Sequence, residues 1–232
     1  MSYELYVIIC ELWVISYELW VKPLRFNVTL IQVPNIFDID FISLTLAQPL
    51  AFIYKMNEIL FNQLEKSNAS TECRNGLRDF IFENPNHLND LIAFGTNLNN
   101  KNHHKAVWII EMIAEVKTKM LLPYIDSICE TISKYKNDSA IRGMSRVAFF
   151  LGTSKEITLT EYQTEKLIEI CLDWLIRDER VACKVYAMKT LAHFGKKEPW
   201  INDELKEILS RDYALQSAGY KAAAREVLEK IK

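Results

Sequence analysis

The sequence is short of the residues from which metal and redox sites are usually built. Its 232 residues include only five cysteines and four histidines, and no two cysteines form a C-x-x-C pair. An odd, widely spaced set of cysteines fits neither a disulfide framework nor a zinc site, and it indicates a reducing cytoplasm. His103 and His104 are adjacent and point to different helix faces, and no H-E-x-x-H motif occurs. We therefore expect no bound metal.

Glycine-rich and nucleophile motifs are also missing. The chain has no G-x-S-x-G, no P-loop and no dinucleotide fingerprint, and GTSKE at 152–156 has too few glycines to cradle phosphate. The sequence therefore predicts no cofactor and favours a non-catalytic protein. Residues 56–232 carry 25 acids and 25 bases. Such neutrality does not favour non-specific binding to nucleic acid.

Residues 2–21, SYELYVIICELWVISYELWV, repeat almost every position with a period of seven. The acids Glu4, Glu11 and Glu18 lie inside this segment, and no base precedes Lys22, so it makes a poor signal peptide and a poor membrane span. A coiled coil would repeat only its a and d positions. Identity at exposed positions as well favours a tandem duplication in the coding sequence over any packing constraint.

The character of the chain changes at Met56. Residues 22–55 contain strand-like runs that are broken by prolines and lack a partner segment, whereas amphipathic helix-forming sequence begins at Met56. We predict that residues 1–55 are an extension outside the fold, that 56–232 form the folded domain, and that Met56 is the natural start. The alternative is that 1–55 form a short accessory segment that packs on the first helices.

The remainder predicts an all-α domain of many short helices. Expected N-caps are Asn84 before Pro85, Asp138 and Asp178, and expected helix ends are Gly152 and Gly195. The periodicity predicts helices at 56–67, 71–83, 85–97, 102–118, 121–135, 139–151, 161–176, 179–194, 200–209 and 214–231.

Four of these helices share a pattern. KAVWIIEM from Lys105, RGMSRVAF from Arg142, KVYAMKTL from Lys184 and KAAAREVL from Lys221 align with offsets of 37, 42 and 37 residues. Each interval matches the length of a helical hairpin. The stretch RVACKVYAMKTLAHFG resembles the second helix of a HEAT repeat. The resemblance covers roughly 100–232, with 56–99 as degenerate repeats or a cap, and it implies a right-handed α-solenoid of about four to five hairpins.

A row of basic residues is the candidate binding site. The second helices of such hairpins line the inner surface, so one cation per repeat would lie there, and a row of cations suits an acidic peptide or a polyanion. The alternative is that these side chains lie at the edge of the apolar stripe with their charges in water. We predict a scaffold that binds another protein or an acidic peptide, without membrane association. The predicted contact residues are Lys105, Arg142, Arg146, Lys184, Lys221 and Arg225.

Two other resemblances imply different functions. HEAT-like alkylpurine DNA glycosylases present tryptophans and a carboxylate to DNA, and Trp108, Trp174 and Asp173 are similar. The chain departs from that family at Met112, where an Asp is expected. The simpler interpretation places Trp108, Trp174 and Trp200 in the core or in the packing between repeats. Small bacterial helical-repeat chains similar to 56–232 are sometimes labelled adenylosuccinate lyase. However, the lyase loop S-S-x-M-P-x-K-x-N is missing.

Overall fold

The computed structural model describes residues 58–211 and 213–231, and within them the chain is helical and contains no strand. The repeating segment at 2–21, the strand-like runs of 22–55 and the start at Met56 lie outside the described residues. The helices are α1 (58–66), α2 (Thr71–Glu83), α3 (Leu88–Thr96), α4 (His103–Lys117), α5 (Ile125–Ile132), α6 (Asp138–Thr153), α7 (Glu161–Ile176), α8 (Val181–Phe194), α9 (Pro199–Arg211) and α10 (Ala218–Lys230). The predicted all-α fold is confirmed.

Three predicted helices begin with a short 3-10 segment. Pro85–His87 precedes α3, Thr118–Tyr124 precedes α5, and Tyr213–Leu215 precedes α10. Pro123 lies inside the second of these segments. Since proline has no N–H to donate and crowds the preceding turn, it interrupts the regular α-helical ladder there. The result is a shorter α5 than the predicted 121–135.

Two of the predicted N-caps are wrong. The cap of α6 is Asn137, whose side chain accepts hydrogen bonds from the N–H groups of Ser139 and Ala140 at 3.0 and 3.1 Å. Asp138 is instead the first helical residue, where its negative charge interacts favourably with the positive end of the helix dipole. Asp178 also caps nothing, because α8 begins only at Val181.

Only one of the two glycines ends a helix as predicted. Gly152 lies inside α6, whereas Gly195 is the C-cap of α8. Gly195 keeps a right-handed backbone, so its role is close approach. The amide of Asn202 donates to its carbonyl at 3.0 Å, and a Cβ at Gly195 would lie only 1.9 Å from the Asn202 Oδ1.

The helices form two layers. In one layer α4 packs against α6, α6 against α8, and α8 against α10; we call these four the second helices. In the other layer α5 packs against α3 and α7, while α3 packs on α4, and α7 and α9 pack on α8. A continuous core runs between the layers, and Ile110, Ile128, Met144, Leu167 and Leu191 in it are fully buried. The molecule is therefore an all-α solenoid of stacked hairpins. In the described part of the chain, no helix has the length and apolarity required to cross a bilayer.

Candidate functional site

The register of the second helices differs by one residue from the predicted alignment. Buried residues of α6 recur in α8 after 43 positions, not 42. The matching buried pairs are Ala140 with Cys183, Met144 with Ala187, Val147 with Thr190, Ala148 with Leu191 and Leu151 with Phe194. The two 37-residue steps agree with the burial pattern, as Val107 with Met144 and Ala187 with Ala224 show.

This shift divides the predicted row of cations into two pairs. Lys105 and Arg142 occupy one equivalent position, and Lys184 and Lys221 occupy the neighbouring one. One residue along an α-helix rotates a side chain by about 100°. Lys184 therefore falls at the position of buried Ile141, and it is only 9% exposed.

Two of the predicted contact residues bond to backbone of their own chain. The Nζ of Lys105 donates to the carbonyl of Glu65 in the last turn of α1, at 2.5 Å. The Nζ of Lys221 donates to the carbonyl of Ala214 at 2.9 Å. Lys105 thus ties α4 to the end of α1, and Lys221 ties α10 to the 3-10 segment that precedes it.

Arg146 is held by side chains on both sides. Its guanidinium pairs with Glu111 and, at 3.2 Å, with Glu115, both on α4. It also lies 5.5 Å from the ring centroids of Phe150 and Tyr186, within the range of a cation–π interaction. The charge of Arg146 is therefore compensated within the molecule.

The other three predicted residues have no such partner. Arg142 on α6 and Arg225 on α10 are exposed, and Lys184 is mostly buried. None of the three forms an ion pair or side-chain hydrogen bond with another described residue. Arg142 and Arg225 are consequently the predicted cations that remain available to a partner.

Glu111 is a buried carboxylate behind this face. Its side chain is 2% exposed, and its Oε2 has no hydrogen-bond partner among the described residues. Burial raises the pKa of Glu111, and the positive charges of Arg146, Arg142 and Arg74 oppose that rise. The carboxylate anchors Arg146 and is inaccessible to a macromolecular partner.

A groove of about 260 Å³ lies between the C-terminal halves of α6, α8 and α10. We call it the second-helix groove. Apolar atoms are supplied by Phe149, Ala192 and Val227, and polar atoms by Lys189, His193, Lys196, Glu226 and Lys230. The sequence-based site omitted all of these residues. The locally basic composition of 177–197, which includes Lys189, His193 and Lys196, favours an anionic partner in this half of the chain but does not by itself locate a groove there.

The charges in the second-helix groove are unequal. Glu226 accepts a hydrogen bond from Lys230 at 2.6 Å and forms an ion pair with Lys189 at 3.3 Å, and these two lysines lower its pKa. Burial lowers the pKa of His193, and the positive charges of Lys196 and Lys197 lower it further. With Glu226 already satisfied, the groove keeps a positive surplus at Lys196.

The two tryptophans named in the DNA-binding alternative, Trp108 and Trp174, lie in the core. Trp108 and Trp174 are buried, and the indole N–H of Trp108 donates to the Ser139 hydroxyl at 2.7 Å. Asp173 pairs with Arg177 at 2.6 Å. The prediction of core packing is confirmed for both residues but is wrong for Trp200, which is 52% exposed near the start of α9.

The described residues contain no group of three or more His, Cys, Asp or Glu side chains that could hold a metal ion. A family model described as a HEAT repeat domain matches residues 60–231. No curated protein and no solved structure gives a significant match to the chain. The matched range includes every second helix and the whole second-helix groove.

Proposed function

Because the chain belongs to the HEAT repeat family, we propose that it is a non-catalytic scaffold that binds another protein on the exposed face of its second helices. Stacked repeats present an extended surface that suits a macromolecular partner. The proposal includes a cytoplasmic location, which the odd and widely spaced set of five cysteines supports.

The observation that carries the proposal is a pair of exposed arginines that form no ion pair or side-chain hydrogen bond with another described residue. Arg142 and Arg225 lie on α6 and α10, two helices apart in the same layer. An arginine that forms no ion pair keeps all five N–H donors for the carboxylates of a partner. We expect the other predicted contact residues to contribute less. Lys184 is only 9% exposed, and Lys105, Arg146 and Lys221 are already bonded within the chain.

Charge reversal of the two arginines tests the proposal. The full-length chain with Arg142→Glu and Arg225→Glu should capture its partner from a lysate of the native cell about tenfold less well, because like charges across an interface cost more than about 1.4 kcal/mol. Capture is measured by quantitative mass spectrometry, and helicity by circular dichroism.

The matched control is Lys166→Glu with Lys206→Glu. These lysines lie on α7 and α9 in the other layer, and each is less than half exposed. Each forms an ion pair with an acidic residue three positions away. The control changes the net charge by the same amount. Equal capture by both double variants would contradict the proposed binding face.

A further inference from the structure

The second-helix groove combines an apolar surface with basic residues. Phe149, Ala192 and Val227 come from three successive second helices, so the groove runs across the repeats and not along one helix. Phe149 also contacts Tyr186, with the ring centroids 5.7 Å apart. The apolar surface therefore continues from the groove to the partly buried ring of Tyr186 on α8.

The basic residues leave one ammonium group uncommitted. Lys189 and Lys230 share Glu226, whereas Lys196 is exposed and forms no ion pair with a described residue. The carbonyl of Phe149, in the last turn of α6, does not offset the positive charge of Lys196. The Thr153 hydroxyl already donates a hydrogen bond to that carbonyl at 2.7 Å. The groove is thus suited to an apolar group that carries negative charge beside it.

The volume of the groove favours a peptide side chain over a cofactor or drug-sized molecule. Sites for cofactors and drug-sized molecules usually occupy about 300–1,000 Å³. At about 260 Å³ the groove is smaller and open along one side, which suits one large side chain of an extended peptide.

We infer that the second-helix groove binds a short acidic peptide segment of the partner, with one large apolar side chain seated between Phe149, Ala192 and Val227 and its flanking carboxylates near Lys196 and Lys189. This inference rests on the proposed function and specifies the partner's chemistry. It adds a hydrophobic anchor to a face that was predicted to bind by charge alone.

Selection from a displayed library of random peptides on the immobilised full-length chain tests the inference. Enriched peptides should contain an excess of Asp and Glu around one shared large apolar residue. A labelled peptide of the consensus sequence should bind in fluorescence anisotropy and weaken as salt increases. Replacement of its apolar residue by serine should lower the affinity about tenfold or more, since the apolar surface that the groove would bury is lost.

Variants of the protein locate the binding site. Ala192→Trp fills the groove and should lower the affinity about tenfold or more, whereas Ala222→Trp, at an exposed position of α10, should leave it unchanged. Lys196→Glu changes only an exposed side chain, and it should weaken binding more than Lys166→Glu does. Circular dichroism and urea unfolding show whether each variant is folded. If Ala192→Trp does not fold, the comparison of Lys196→Glu with Lys166→Glu decides whether the peptide binds in the groove.

Several outcomes would overturn the inference. They are the absence of enriched peptides, enrichment of basic peptides, or affinity insensitive to both Ala192→Trp and Lys196→Glu. If binding depends on Arg142 and Arg225 but not on the groove, the scaffold proposal stands and the groove inference fails. If labelled duplex DNA binds at low salt and Lys196→Glu abolishes that binding, the groove binds nucleic acid and not a peptide.

Discussion

Glu111 has an environment that is unfavourable to its charged form. A carboxylate with 2% of its side chain exposed has lost nearly all of its hydration, and one of its oxygens has no hydrogen-bond partner in the described part of the chain. Arg146 compensates the charge but is itself one-quarter exposed. Because desolvation outweighs this attraction, the pKa of Glu111 is raised above its ordinary value of 4.5.

The raised pKa of Glu111 should make the stability difference between the unmodified protein and Glu111→Gln depend on pH. A raised pKa in the folded state means that the folded protein binds the proton more tightly than the unfolded chain does. The stability from this proton is fully present below the ordinary value of 4.5 and is lost as pH rises through the raised pKa. The free energy of unfolding of the unmodified protein should therefore increase relative to Glu111→Gln as pH falls from neutral.

Urea unfolding of both proteins across this pH range measures the difference. Groups other than Glu111 titrate in both proteins and largely cancel. A difference that stays constant would show that the nearby arginines offset burial, and one that shifts in favour of Glu111→Gln as pH falls would show that they outweigh it. Either result would mean that the pKa is not raised.

At the scale of elements, the contact between α4 and α6 depends on the absence of a side chain. A Cβ on Gly143 would lie 2.6 Å from the Cγ1 of Val107 and 3.2 Å from the Oε2 of Glu111. Val107 is fully buried and its β-branched side chain has little rotational freedom, so it cannot move aside. The two helices can pack this closely only with glycine at position 143.

Gly143→Ala should destabilise the protein by about 1–2 kcal/mol, because overpacking costs about 1–3 kcal/mol and the better helix propensity of alanine returns less than 1. Gly76→Ala is the matched control. Gly76 is exposed in α2, and nothing lies within 4 Å of its would-be Cβ, so the same change should stabilise by about 0.5–1 kcal/mol. Chemical denaturation measures both. A stabilised Gly143→Ala would show that α4 and α6 can separate without cost.

Helices were predictable from the sequence because their signals are local. The apolar period and the start of α7 at Glu161 depend only on neighbouring residues, and the bounds of α2 and α7 agree with the prediction. Register between helices depends on which residues are buried together. Lys184 resembles Arg142 in sequence but occupies the position of Ile141, and the intervening loop gives no sign of the one-residue shift.

The binding site was harder to predict for the same reason. Phe149, Ala192 and Val227 are ordinary apolar residues of three different helices, and only their stacking brings them together around one groove. Intramolecular partners were also invisible in the sequence. Lys105 reaches a carbonyl 40 residues earlier in the chain, and no local pattern marks that bond.

At the scale of the whole molecule, one core extends through the repeats. It begins with Leu60 and Leu64 in α1, continues through every hairpin, and ends at Val227 and Ile231, all of which are buried. In a repeat array each unit is stabilised mainly by its neighbours, so the terminal helices matter as caps for the adjacent hairpin. The described helices thus supply a continuous set of apolar contacts from 60 to 231.

A chain of residues 56–232 should therefore fold as the full-length protein does. We predict that it unfolds at the same urea midpoint, because the core from Leu60 to Ile231 is retained. A chain of residues 68–232 is the matched comparison. It lacks α1, whose Leu64 is fully buried and whose Glu65 carbonyl binds Lys105, and it should unfold at lower urea. If the 56–232 chain is instead as destabilised as the 68–232 chain, residues 1–55 contribute to the fold and the alternative of an accessory N-terminal segment is correct.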